Sequence, residues 1–486
     1  MNAMNYGNLF TITLPETILE VVSLLVLIVD LGWLRKSVQA TRMTVANLLG
    51  VFGCALAIAW LAAHPQVASL GGDALVATPL VAAAQIGILI LTALVFLLSV
   101  NAEFSRNPGE FVAIVLLGAT GMLLVTAARD LLIIFVALEL LSLSLYVLTA
   151  FAKSSAQSSE AALKYYLFGG MSAALMLFGF SYLYGLTGTT SLTGIAGALT
   201  TQTVSPLLVV TLVMVAAGLG FKVAAVPFHL WAPDTYQGAP APVAALIASG
   251  SKVASFAVLI ALTGGVIGSS SYAQSSVWVV LLLWMAAGSI VLGNLAALVQ
   301  TSVRRLLAYS AIAHAGYMLL GIAAHTPQSG AAVLYYALTY ALTTVGAFGV
   351  IAVVERDAGS DRLDAFAGLS RRSPLLAAAL LLFLLSLAGI PPLVGFWAKF
   401  NLFASVLRSL GAGHWGLALV ALALAASAVS LYYYLQVLKR AYVTKPLQTK
   451  PLKVSILELT TLVAIAIAVV LLGIFPSVLS GWIPLG

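Results

Sequence analysis

Four lysines, Lys164, Lys222, Lys252 and Lys399, and one glutamate, Glu139, lie inside stretches otherwise apolar enough to cross a lipid bilayer. Ionisable groups are expensive there, so by default they mark an ion or proton path. Burial weakens a lysine's hold on its proton, and a neighbouring carboxylate restores it. At about 4 Å and an effective dielectric of about 20, such a pair gains about 4 kcal/mol, equal to about three pKa units. Making and breaking a lysine–glutamate contact is then a switch between holding and releasing a proton. A row of such sites, joined by water and hydroxyls, would carry protons laterally.

Two histidines extend this set. His314 has Ser310 one turn before it and Tyr317 one turn after, a polar stripe that can relay protons or simply pack through hydrogen bonds. His229 follows Pro227 and can accept from freed backbone groups or act as a relay. Lys164 stands four residues after Glu160, where an interfacial ion pair competes with a transport role. Lys252 lies about 16 Å into a helix that starts at Pro240 or Pro242, the depth at which snorkelling helps least. For Lys222, Lys399 and Glu139 a structural role in helix packing is the alternative. His64, His325 and His414 fall in loops, and no histidine–carboxylate pair has metal-ligand spacing, so no metal is expected.

The elements that must hold these residues are membrane helices. With 62% hydrophobic and 8% charged residues, the 486-residue chain has too few polar groups to cover a soluble globule of its size. Its net charge of +7 does not point to nucleic acid, because the basic residues sit in short loops between apolar runs. The single cysteine, Cys54, excludes an intrachain disulfide and cannot supply an iron-sulfur cluster, and no glycine-rich dinucleotide turn is present. Redox chemistry is therefore expected on other subunits.

Apolar runs of spanning length predict an all-α polytopic protein of about fourteen helices, over roughly 15–34, 44–62, 79–100, 111–128, 130–152, 161–186, 204–232, 240–264, 276–299, 304–324, 331–355, 374–409, 415–438 and 455–475. The first run, beside Glu16 and Glu20 and without a basic leader, reads as a retained helix. Apart from the four intramembrane lysines, every lysine and arginine except Arg129 and Arg408 falls in one set of alternate loops. A missed or invented internal helix would scramble that segregation, and its sense places both termini on the periplasmic side.

Two runs are too long for one straight helix. The segment 204–232 would extend over about 40 Å and contains Gly218, Gly220 and Pro227, so a break is expected near Lys222. The segment 374–409 contains Gly389, Pro391, Pro392 and Gly395, so a second break is expected before Lys399. Broken helices at corresponding places in two halves are the mark of inverted repeats around a midplane ion site. The expected units are three N-terminal helices (1–103), a first five-helix repeat (104–270), a second (271–441) and a C-terminal helix (442–486), with Lys222 and Lys399 as counterparts on the fourth helix of each repeat.

The stretch Gly218-Leu219-Gly220-Phe221-Lys222, continuing through Val226-Pro227-Phe228-His229-Leu230-Trp231-Ala232-Pro233-Asp234 to Tyr236-Gln237-Gly238-Ala239-Pro240-Ala241-Pro242-Val243, resembles the signature of antiporter-like subunits of respiratory complex I. The segments Ser386-Leu387-Ala388-Gly389-Ile390-Pro391-Pro392 with Gly395, Phe396 and Lys399, and Arg304 to Ser310 before His314-Ala315-Gly316-Tyr317, are similar to the same family. The ending Leu431-Tyr432-Tyr433-Tyr434-Leu435 and the fourteen-helix length point to a bacterial member of proton-translocating NADH:quinone oxidoreductase.

The resemblance implies that Glu139 and Lys222 form the switching pair and that Lys164 modulates it. It further implies that Lys252 is the central relay, His229 and His314 are intermediates, and Lys399 is the terminal site. Related subunits can carry a glutamate in place of Lys399, so the residue type at the exit varies. NADH, FMN, iron-sulfur clusters and quinone would belong to other subunits, and this chain would carry no cofactor. Its partners would be the bilayer of the bacterial inner membrane and other membrane subunits of complex I, neighbouring antiporter-like subunits included, with no nucleic acid. The same signature leaves room for a subunit of a cation/proton antiporter or membrane hydrogenase, and a non-conducting scaffold remains a further alternative.

Overall fold

A computed structural model describes residues 6–65, 68–70, 74–102, 104, 106–200, 205–264, 277–410, 414–446 and 450–483. Because lipid cannot satisfy a peptide group, each apolar run closes its backbone hydrogen bonds as helix. The chain begins with α1 (Tyr6–Ile28), prolonged by a π-turn over Val29–Trp33, and α2 (Gln39–Ala63). A hairpin of β1 (Ala68–Leu70) and β2 (Leu75–Ala77), antiparallel with Ala68 opposite Ala77, leads into α3 (Pro79–Ser99). There follow α4 (Pro108–Ala127), α5 (Leu131–Thr149), α6 (Ala156–Thr187), the short α7 (Leu192–Leu199), α8 (Pro206–Val223), α9 (Trp231–Gly238), α10 (Ala241–Ala248) and α11 (Gly250–Leu262). The remainder is α12 (Val277–Leu298), α13 (Val303–Ala324), α14 (Pro327–Ala358), α15 (Leu369–Arg372), α16 (Pro374–Ala388), α17 (Val394–Leu410), α18 (His414–Tyr442), α19 (Ile456–Ile474) and α20 (Ser477–Ser480).

Among the described residues, thirteen helical stretches are long and apolar enough to span, and α16 with α17 makes a further one in two pieces. Each expected run has its helix. Their starts follow capping chemistry: Thr78, Asp130, Ser155, Ser205, Ser302, Thr326 and Ser455 accept hydrogen bonds from first-turn N–H groups, and proline opens α3, α4, α8, α14 and α16.

Contacts between loops sort the connections into two faces. On one, Asp30 accepts from Nε and Nη2 of Arg42, each at 2.8 Å, and from the amide of Gly109, Ser302 bridges to Arg362, Arg304 donates to the carbonyls of Tyr236 and Ala239, and Arg356 pairs with Glu458. On the other, Leu75 bridges to Ala128, Asp130 to Ser191, and Ser409 donates to the carbonyl of Ala324. Each of these contacts joins loops that the alternation of basic residues places on the same side.

The centre of the molecule is α13, buried along nearly its whole length, with α10, α11 and α14 almost as enclosed. Glycine lets α12 lie directly on α13. A Cβ at Gly293 would sit 2.6 Å from the amide nitrogen of Ala313, and one at Gly316 would sit 2.8 Å from the carbonyl of Ala286.

Both expected breaks are present. After α8 the chain turns at Ala224, held at φ 59°, with Pro227 three residues on. After α16 it turns at Gly389, at φ 88°, with Pro392 three residues on. A third interruption was not expected: the run over 240–264 is not one straight helix but α10 and α11, parted at Ser249 (φ −116°, ψ −90°). Its physical reason is the Ser249-Gly250 pair, a known kink site, with Ser249 Oγ donating to the carbonyl of Ala245 at 2.6 Å.

Candidate functional site

Aligning the two breaks on their left-handed turn residue and following proline qualifies the expectation that Lys222 and Lys399 are counterparts. Lys222 lies two residues before Ala224, whereas Lys399 lies ten residues after Gly389. The two positions do not correspond in sequence, yet both ammonium groups reach the same kind of place. Lys222 stands in the last turn of α8, and Lys399 folds back so that Nζ donates to the carbonyls of Leu387 (3.0 Å) and Ala388 (2.8 Å) in the last turn of α16. The C-terminal end of a helix carries unsatisfied carbonyls and partial negative charge, so a cation is stabilised there. Lys399 also donates to Ser427 Oγ of α18 at 2.7 Å.

Lys222, buried, donates to Ser142 Oγ of α5 and stands 3.6 Å from Glu139 Oε1. Among the described residues no donor comes within hydrogen-bond distance of that carboxylate oxygen, so the two charges attract without being locked. The geometry is that of an ion pair able to open and close.

Lys164 is placed differently from the three deep lysines. Its side chain is 41% exposed and pairs with Glu160 at 2.7 Å and Asp234 at 2.8 Å. Asp234 also binds Arg305 at 2.5 Å. The interfacial ion pair is therefore the arrangement found, and Lys164 makes no direct contact with Glu139 or Lys222 among the described residues. His229 interacts with the backbone of Pro227 in the first break, and its Nδ1 is buried without a hydrogen-bond partner among the described residues. Other groups of the break are served elsewhere: Trp231 Nε1 donates to the carbonyl of Phe221 at 3.0 Å, and the amide of Val226 donates to Ser289 Oγ at 2.9 Å.

Around α13 the predicted residues come together. Lys252, just past the Ser249 kink, donates to the carbonyl of Ala311, with Nζ 5.4 Å from the ring centre of Tyr340. One turn along α13, His314 Nδ1 pairs with Tyr336 OH at 2.8 Å, and its ring lies against that of Tyr340 with centroids 4.8 Å apart. A further turn on, the ring of Tyr317 lies 5.6 Å from Lys399 Nζ. On the other side of His314, Nε2 stands 3.5 Å from Tyr434 OH, which pairs with Ser310 Oγ at 2.5 Å. Between His314 and Lys399 is a cavity of about one water's size, bordered by Thr339, Thr343, Ser386 and Gly395. No hydrogen bond joins Lys222 to Lys252 directly among the described residues.

Tyr336, Tyr340 and Tyr434 carry much of this site and were not singled out from the sequence. Their signal was available: Tyr336, Thr339, Tyr340 and Thr343 recur at three- and four-residue spacing, a polar stripe through an apolar run. Chemically, the ensemble offers ammonium donors, one histidine and hydroxyls that both give and accept protons.

Comparisons with known proteins show the family to which this fold belongs. A family model described as NADH:quinone oxidoreductase/Mrp antiporter, TM, matches residues 128–429. "NADH-quinone oxidoreductase subunit N 2" of Acidobacterium capsulatum is 49% identical over 99% of this chain and 100% of its own length. A chain of the respiratory complex I of Thermus thermophilus superposes with a TM-score of 0.79 at 35% identity, covering 96% of this chain and 98% of that one. A chain of the Mrp complex of Dietzia sp. shares the fold, with a TM-score of 0.82 at 20% identity over 97% of both chains. The chain thus belongs to the NADH:quinone oxidoreductase/Mrp antiporter transmembrane family.

Proposed function

We propose that this chain works as the subunit N type membrane component of a proton-translocating NADH:quinone oxidoreductase, moving protons while other subunits carry out the redox chemistry. The whole-length 49% identity to a protein of that name, against 20% to a chain of an Mrp complex, favours this reading over a stand-alone antiporter. The observation that carries the mechanism is the succession of contacts on α13, in which Ala311, His314 and Tyr317 bring Lys252 and Lys399 to one helix.

Glu139 and Lys222 act as the switch, because closing the 3.6 Å gap favours the protonated amine and opening it favours release. Lys252 receives the proton, His314 with Tyr336 and Tyr434 passes it along α13, and Lys399 releases it from the end of α16. Lys164 tunes the switch at a distance through Asp234 and the segment after the first break. His229 serves as an intermediate near that break. The units 104–270 and 271–441 are inverted repeats, each with a broken helix. The face rich in lysine and arginine looks into the cytoplasm of a bacterial inner membrane, with both termini periplasmic. NADH, FMN, iron-sulfur clusters and quinone belong to other subunits of the complex, and the membrane partners of this chain include neighbouring antiporter-like subunits.

Substituting Lys252→Ala and Lys399→Ala in the assembled complex, reconstituted in vesicles, tests the relay. Proton movement per NADH oxidised should fall markedly in each. Undiminished proton movement with retained electron transfer would leave the lysines as packing elements and overturn the proposal.

A further inference from the structure

The lysine row leaves one buried acid unused. Glu16, in α1, is only 4% exposed, and no lysine, arginine or histidine pairs with it among the described residues. The carboxyl group meets its own backbone amide and one long contact, from Gln85 Nε2 of α3 to Oε1 at 3.4 Å, and its Oε2 has no hydrogen-bond partner among the described residues. Gln85 Nε2 also donates to the carbonyl of Leu123 in α4 at 3.2 Å, which fixes the amide with its nitrogen towards Glu16. A carboxylate anion taken out of water needs a cation or several donors, and otherwise it takes up a proton.

A route for that proton begins at the acid's partner. Gln85 lines a cavity of about 90 Å³, which opens at the β1–β2 end of the molecule between Thr11, Trp60, His64 and Thr78. That volume accommodates several waters, and its polar rim supplies their partners. The charged groups nearest to it are Glu20, one turn further along α1 and exposed on the outer face of that helix, His64, whose Nδ1 is engaged with the carbonyl of Trp60, and Arg129, which donates to the carbonyls of Thr126 and Ala128. None of them neutralises Glu16.

We propose that Glu16 is a proton-binding site in its own right: a neutral carboxylic acid, carrying its proton on Oε2, that exchanges it with water in the Gln85 cavity, apart from the lysine relay. The N-terminal helices α1 to α4 thereby hold a protonatable site facing the β-hairpin side.

Infrared difference spectroscopy of the assembled complex in membranes tests this. Wild type minus Glu16→Gln should show a protonated-acid carbonyl band, above the amide I region, which shifts on transfer to heavy water. Loss of ionised-carboxylate bands instead would overturn the proposal, as would an acid band unmoved by heavy water. A second variant, Gln85→Leu, keeps the acid and removes its donor, so the band should move to higher frequency. An unmoved band there would refute the pairing even if Glu16→Gln failed to assemble.

Discussion

Tyr336 holds His314 in place with a 2.8 Å hydrogen bond between buried groups. Tyr336→Phe keeps the ring and removes the hydroxyl, so it should cost about 1 kcal/mol of stability while lowering proton movement per electron far more than that loss explains. Thermal unfolding and proton-to-electron ratio, measured on the same preparation, separate the two effects. Glu139→Gln should act differently: it leaves Lys222 bound to Ser142 and removes the charge 3.6 Å away, so coupling falls and folding does not. Measuring assembly and proton movement together checks this. At this scale the deep lysines, Glu139 and His314 were legible in the sequence, because a charge or imidazole in an apolar run has few bland explanations. The tyrosines were not, since an aromatic ring is ordinary in a membrane helix and only its neighbours reveal what its hydroxyl does. Lys164 was legible in part: Glu160 four residues before it announced an ion pair, whereas Asp234, 70 residues away in the chain and 2.8 Å from its Nζ, could be found only in the fold.

Helix breaks set where the amines end up. Gly395 lies beside the second break so closely that an added Cβ would stand 1.9 Å from the carbonyl of Ser386. Gly473 of α19 is as tightly placed, 2.0 Å from the carbonyl of Pro392, and its own carbonyl accepts from Trp397 Nε1 at 2.7 Å. Gly395→Val should therefore force α16 and α17 apart, costing about 1–3 kcal/mol and displacing Lys399 from the carbonyls of Leu387 and Ala388. Lower thermal stability together with lost coupling is the expected result. The spans themselves were readable because lipid demands unbroken backbone hydrogen bonding, which turns composition into helix. The breaks at Ala224 and Gly389 announced themselves through glycine and proline. The kink at Ser249 was passed over because the prolines at 240 and 242 suggested a helix start, and the Ser249-Gly250 pair carried the signal.

Across the whole molecule, polar ties on the arginine-rich face join parts distant in sequence. Arg356 binds both oxygens of the buried Glu458 at 2.7 and 2.8 Å, fastening the end of α14 to the start of α19. Glu458→Ala should lower stability by about 2 kcal/mol without altering the lysine site, a separation that unfolding and proton transport assays can verify. Loop alternation was legible from basic residues alone, but which loops touch was not, since such contacts follow from the tertiary packing of helices. The account as a whole rests on α13 joining Lys252 to Lys399 through His314. The most direct test is the number of protons moved per NADH oxidised by the complete complex in sealed vesicles when His314 is replaced by phenylalanine, which keeps an aromatic ring and removes both nitrogens. The account predicts a clearly reduced ratio with NADH oxidation by an artificial acceptor unchanged; a wild-type ratio would contradict it.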